Sequence, residues 1–210
     1  MFKKFLSKIG ISGQMNDKIP FLIIGLGNPG RDYTQNRHNF GFMLVDRVAR
    51  RLNARGMKVI SKAIIITTPF EDQKIILAKP QTFMNLSGQS VQGLMNFYKI
   101  PLDHILLAHD DLDLPFCTIR IRPGGGAGGQ KGVKSTIEQL GTPDFARLRL
   151  GIDRPPGRMD AAAYVLQDFS QKEMEFVSET LDKAADAALA WVTKGLNYAM
   201  NQYNGTPEIK

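Results

Sequence analysis

Three histidines and a cluster of aspartates hold most of the reactive chemistry of this 210-residue chain. His38 lies in Asn36-Arg37-His38-Asn39, and His109 runs directly into Asp110, Asp111 and Asp113. His104, after Pro101-Leu102-Asp103, reads as a surface loop residue. A carboxylate that orients a histidine is the arrangement of a general base in hydrolysis. The same crowded carboxylates also suit magnesium, and the residues alone leave both readings open. Asn85 carries an amide that donates and accepts, so it suits gripping a peptide group or carbonyl, and the plainer reading is a turn or cap residue. Asn28 sits in a tight Asn-Pro-Gly turn at the carboxyl end of the first strand, where loops commonly carry function. No G-x-S-x-G elbow supports a serine nucleophile, and no His/Cys spacing suggests zinc. The one cysteine, Cys117, excludes an internal disulfide, lacks an activating neighbour and fits a reducing cytosol.

These residues need elements to position them. Phe21 to Ile24 is a continuous apolar run and reads as a buried strand ending just before Asn28. Phe40 to Leu52 has apolar residues at helical spacing, with Asn39 as its cap. The stretch from Lys62 to Pro80 reads as two strands about a turn at Glu71-Asp72-Gln73. A helix capped by Ser87 follows Asn85. Ile105 to Ala108 is a short strand delivering His109 and Asp110, and Thr118 to Arg122 alternates as a more exposed one. A helix over about 132–140 and a strand in Phe145-Ala146-Arg147-Leu148-Arg149-Leu150-Gly151-Ile152 come next. Ser170 and Glu173 form a capping box that opens a long C-terminal helix through Trp191. Strands alternating with helices predict a single α/β domain, a twisted, mixed and largely parallel sheet packed between helices.

Two glycine runs invite nucleotide readings. Gly25-Leu26-Gly27-Asn28-Pro29-Gly30 has G-x-G-x-x-G spacing after a strand. Pro29 sits where a helix should open, the next helix starts about ten residues later, and no acidic residue ends a second strand. A nicotinamide-dependent oxidoreductase is therefore disfavoured. The second run, Gly124 to Gly129, lacks the Gly-Lys-Ser/Thr of a P-loop, since Lys131 is followed by Gly132. Glycines before a helix can still cradle an anion or form a flap over a site.

The formal net charge of +7 points to a polyanionic partner such as nucleic acid. Arg120, Arg122, Lys131, Lys134, Arg147, Arg149, Arg154 and Arg158 follow one another with only three acidic residues between. Period two places Arg120 with Arg122, and Arg147 with Arg149, on one strand face each. No run of 18 or more apolar residues suggests a membrane span. Residues 1–18 read as a basic, partly amphipathic leader expected to be disordered, with Met15 an alternative start; the domain is expected over 19–204, with a tail over 205–210.

The motifs together resemble one family. Gly25-Leu26-Gly27-Asn28-Pro29-Gly30, Tyr33 with Arg37-His38-Asn39, Thr82 to Gly88 and His109 to Pro115 look, in that order, like bacterial peptidyl-tRNA hydrolase. The resemblance covers about Ile19 to Tyr203. It implies a monomeric, cytoplasmic enzyme, without metal or cofactor, that hydrolyses the ester joining a peptide to the terminal ribose of tRNA. By position it implies His38 as the base that activates water, with Asp110 orienting it. Asn28 and Asn85 would hold the peptide and the reacting carbonyl, Tyr33 and Met84 would line the site, and Arg122, Arg149 and Arg158 would meet tRNA phosphates.

One motif departs from the family. Gln130 and Lys131 stand where it often has His-Asn, and Ala127 stands where a histidine is frequent. This puts peptide gripping by the loop in doubt and suggests that Lys131 meets the phosphates of the tRNA 3′ end. The alternative function is a non-catalytic RNA-binding relative of the same fold.

Overall fold

The computed structural model describes residues 18–205. Met15 and nearly all of the expected leader and tail lie outside the described residues. The elements run β1 (Phe21–Gly25), α1 (Phe40–Arg51), β2 (Lys58–Ile60), β3 (Ala63–Phe70), β4 (Gln73–Pro80), α2 (Ser87–Tyr98), β5 (Ile105–Asp111), β6 (Ile119–Arg122), α3 (Lys131–Leu140), β7 (Ala146–Gly151), α4 (Ala161–Val165), α5 (Gln171–Lys194) and α6 (Leu196–Tyr203).

Seven strands form one mixed sheet in the order β2-β3-β4-β1-β5-β7-β6. The β4-β1, β1-β5 and β5-β7 pairs are parallel, and antiparallel pairs flank them at both sides. Strand periodicity splits the core in two. Ile23, Leu106, Ala108 and Leu148 face α1, α5 and α6, whereas Leu22, Ile24, Ile105 and Leu107 face α2 and α3. Apolar residues on both faces of β1 and β5 are what a sheet covered by helices on both sides requires.

The glycine spacing in the first loop serves packing. A Cβ on Gly25 would lie 2.1 Å from the Gly41 carbonyl oxygen, and one on Gly27 would meet the Phe42 ring at 2.7 Å. β1 and the loop after it can thus lie directly against the first turn of α1. Gly30 is followed by a single 3-10 turn, Arg31–Tyr33, in place of the helix that a dinucleotide site needs.

Several local expectations change. Ser87 is the first residue of α2, not its cap, and its buried hydroxyl has no hydrogen-bond partner among the described residues. Asn39 does occupy the cap position of α1, but its side chain makes no cap bond. His104 is half-buried and stacks on Phe21 with ring centroids 4.1 Å apart. β2, α4 and α6 are additional elements. The chain also closes over β6: the Ile119 and Gly205 backbones exchange hydrogen bonds of 3.0 and 2.9 Å, and the Asn204 side chain bonds Ile121 N at 2.6 Å.

Candidate active site

The carboxyl ends of β1, β4 and β5 converge where the chain leaves the central parallel strands, the usual place for a site in such sheets. Each strand end contributes a side chain. Asn28 comes from the loop after β1. Met84 and Asn85 come from the 3-10 turn Met84–Leu86 after β4, and Asp110 comes from the end of β5. His38 enters on the 3-10 turn Arg37–Asn39 ahead of α1. All five line one cavity of about 940 Å³, with Phe83, Leu112, Val165 and Leu166 as apolar wall and Gly128 to Lys131 along a further side.

His38 Nδ1 lies 2.8 Å from Asp110 Oδ2. The ionised carboxylate accepts, so Nδ1 carries the proton and Nε2 is left as the basic nitrogen. Burial alone disfavours the imidazolium. The Asp110 charge and its hydrogen bond outweigh burial, while Lys131 pulls back in part, and the His38 pKa stands above the usual 6.5. For Asp110 burial favours the neutral acid; the charge and hydrogen bond of His38, with a further bond from Gln130, overcome it and hold the carboxyl below its usual range.

Asn28 is held at three points. Its backbone N donates to Asn39 Oδ1 at 2.8 Å, and its carbonyl accepts from Asn39 Nδ2 at 2.9 Å. Its own Oδ1 accepts from Met84 N at 3.2 Å. That bond orients the amide and leaves Nδ2 as a donor for something else. Asn39, read from sequence as a helix cap, is therefore a clamp that fixes Asn28 beside His38. Its sequence signals were the cap position and its place in Arg37-His38-Asn39, neither of which points to Asn28. Asn85 is exposed at the cavity, and its amide has no hydrogen-bond partner among the described residues.

The turn that bears His38 is bolted to the far wall. Arg37 donates to the Asp168 carbonyl at 2.6 Å and pairs with Glu173 at 2.7 Å. Its guanidinium lies over the Tyr164 and Phe169 rings at 4.7 and 5.1 Å. Glu173 is also the capping-box residue of α5. The α4 segment that supplies Val165 and Leu166 is thus tied to the turn that bears His38.

Other expectations fare differently. Tyr33 is 36% exposed on its own turn against Gly30, outside the cavity lining. Two donors at the start of α3, Gly132 N and Val133 N, are already taken by Gln130 Oε1 at 2.6 and 2.9 Å, so most of the helix N-terminus is closed to an anion. Lys131 is exposed on the first turn and lines the cavity. Among the described residues no cluster of three His, Cys, Asp or Glu side chains could hold a metal. Asp111 pairs with Arg149 at 2.6 Å and Asp113 with Arg154 at 2.5 Å.

The arginine register is as period two predicts. Arg120 opposes Arg149 and Arg122 opposes Arg147 across β6 and β7. Arg147 departs from the solvent-facing set: it is 3% exposed and donates to the Gly126 and Pro143 carbonyls. Arg122 and Arg158 are exposed, and Arg149 is partly so.

A largely buried histidine–carboxylate pair, an oriented amide donor and an apolar wall together can activate water beside a polarised carbonyl. Known proteins share both sequence and shape. The peptidyl-tRNA hydrolase family model matches residues 22–210. A peptidyl-tRNA hydrolase of Bacillus cytotoxicus is 46% identical over 183 residues, covering 87% of this chain and 98% of that protein. One of Chloroflexus aggregans is 47% identical over 190 residues, covering 88% and 98%. A crystal structure of the Acinetobacter baumannii peptidyl-tRNA hydrolase superposes with a TM-score of 0.82 at 36% identity, covering 88% of this chain and 94% of that one. By sequence and by fold, the chain belongs to the peptidyl-tRNA hydrolase family.

Proposed function

We propose that this protein hydrolyses the ester between a peptide and the 3′-terminal ribose of tRNA, releasing both, through a water activated by His38. The observation that carries the reading is the His38–Asp110 contact of 2.8 Å inside a cavity that also presents Asn28. Asp110 fixes the Nδ1–H tautomer, so Nε2 takes a proton from water as the oxygen attacks the ester carbonyl. The imidazolium that forms is stabilised by the same carboxylate. Asn28 Nδ2, oriented by the bond from Met84 N, donates to the carbonyl or to the oxyanion that develops from it. Asn85 holds the peptide, and Met84 lines its path. The imidazolium then returns its proton to the departing ribose oxygen. An activated ester needs no covalent intermediate and no metal for this sequence.

The tRNA is held outside the cavity. Arg122, Arg149 and Arg158 contact backbone phosphates, and Lys131 reaches the phosphate nearest the 3′ end. With Gly132 N and Val133 N of α3 occupied by Gln130, the attraction there rests mainly on the Lys131 ammonium. The enzyme works as a monomer in the cytoplasm.

Release of labelled peptide from a defined peptidyl-tRNA tests the reading. His38→Ala should fold normally and lose about 10²–10⁴ in turnover, the usual contribution of a general base. Turnover near the wild-type rate in the folded variant would remove His38 from the role. A folded wild-type protein that binds peptidyl-tRNA without releasing peptide would make it an RNA-binding relative.

A further inference from the structure

We infer that Gln130 is a positioning residue for this reaction, holding the Asp110 carboxylate in the orientation that serves His38; the inference rests on His38 being the base. The amide orientation follows from its partners. Gln130 Oε1 accepts from Gly132 N at 2.6 Å and from Val133 N at 2.9 Å. The reverse orientation would press an NH2 group against two N–H donors. Nε2 must therefore point the other way, where it donates to Asp110 Oδ1 at 3.1 Å and lies 3.3 Å from Met84 Sδ.

Asp110 is then gripped at both oxygens, Oδ2 by His38 and Oδ1 by Gln130. A carboxylate held at one oxygen swings about a soft terminal torsion. One held at two keeps its lone pair aimed at His38 Nδ1. Both residues are buried, Gln130 at 8% and Asp110 at 2% exposure, so neither bond is exchanged freely with water.

The side-chain type fits two tasks at once. Glutamine caps α3 with its oxygen and supports Asp110 with its nitrogen. Glutamate has the reach but no donor when ionised, and asparagine is one methylene shorter. The amide also does not titrate. Gln130 itself therefore adds no change of charge beside Asp110 over the pH range in which His38 titrates. Gln130 follows Gly128 and Gly129, which line the cavity in left-handed conformations at φ 56° and 81°. A displacement of that loop is felt at Asp110 through a single side chain.

The test compares Gln130→Glu, Gln130→Met and His38→Ala in peptide release, and follows His38 by NMR titration of its ring proton. With three histidines in the chain, the His38 signal is the one lost in His38→Ala. Gln130→Glu keeps the helix-capping oxygens and removes the donor, so it separates capping from support of Asp110. Its kcat should fall about tenfold or more, the scale of a lost hydrogen bond to a charged group, with KM little changed. The donor offsets part of the Asp110 charge. Its removal should raise the His38 pKa in Gln130→Met, and an added carboxylate should raise it further in Gln130→Glu. Gln130→Met provides the comparison if Gln130→Glu does not fold. Wild-type kcat and an unmoved His38 titration in a folded variant would make Gln130 a helix cap only. If His38→Ala keeps full turnover, the base assignment fails and this inference with it; an inactive His38→Ala beside a wild-type-like Gln130→Glu overturns the Gln130 inference alone.

Discussion

The charge on His38 acts in opposite directions on stability and on catalysis. Its folded pKa is raised above 6.5, so the protonated pair with Asp110 stabilises the fold fully below the unfolded value. That contribution is lost as pH rises through the folded pKa. The neutral ring, the proposed base, appears over the same interval. Under the proposed mechanism, kcat/KM should rise with pH through an apparent pKa above 6.5 while the pair's contribution to unfolding free energy declines. Asp110→Asn should move that limb downward, because burial and Lys131 then oppose protonation without the carboxylate to offset them. It should also lower turnover, by up to about 10²–10⁴ if the base is fully disabled. A pH–rate profile of both proteins checks this; an unmoved limb in Asp110→Asn would separate the titration from His38. His38, Asp110, Asn28 and Asn85 were legible through the order of the motifs and the family resemblance it carries, and the structure gathers them in one cavity. Asn39 and Gln130 were not, because their partners lie 11 and 20 positions away and no periodicity marks such contacts.

At the scale of elements, the site depends on how closely α1 lies on β1. A Cβ on Gly41 would meet Ala108 O at 2.4 Å and Leu26 N at 2.6 Å, all backbone atoms of the central sheet region. Backbone cannot rotate away as a side chain can. Gly41→Ala must push α1 off the sheet, and His38 sits on the turn that leads into α1. Overpacking of this kind costs about 1–3 kcal/mol. Denaturant unfolding should show the lower midpoint with an unchanged slope, and peptide release should fall more than the stability loss alone accounts for. Wild-type stability in Gly41→Ala would show that the helix lifts without strain. The apolar strands and the capping-box helix were readable because burial imposes a period on them. The missed elements lack one: β2 has three residues with Val59 exposed, α4 has five, and α6 is cut from α5 by Gly195 at φ 84°.

For the whole molecule, the net charge of +7 takes on a direction once the strands pair. Arg120, Arg122 and Arg149 share one face of the β6–β7 ribbon, beside the glycine loop that borders the cavity. The sequence showed a basic run, whereas only the register showed that β6 and β7 bring two halves of it together. It could not show that Arg147 turns inward to carbonyls. Arg122→Ala should weaken tRNA binding and flatten its salt dependence by nearly one unit of logarithmic slope, about 0.7–0.9 per phosphate contact. Arg149→Ala should do more, because it also leaves Asp111, its partner at 2.6 Å, as an uncompensated negative charge near the RNA. Binding titrations at several salt concentrations measure both; identical slopes in wild type and Arg122→Ala would move the RNA surface elsewhere.

The closure of β6 by Asn204 and Gly205 has a consequence for how the molecule keeps to itself. β6 is the last strand of the sheet, so its outer N–H and C=O groups would otherwise be free to recruit a strand from a neighbouring molecule. The bonds at Ile119 and Ile121 occupy that edge. Removing these two residues would turn the β6–β7 ribbon into a sticky margin, inviting molecules to join edge to edge through the surface proposed to meet tRNA.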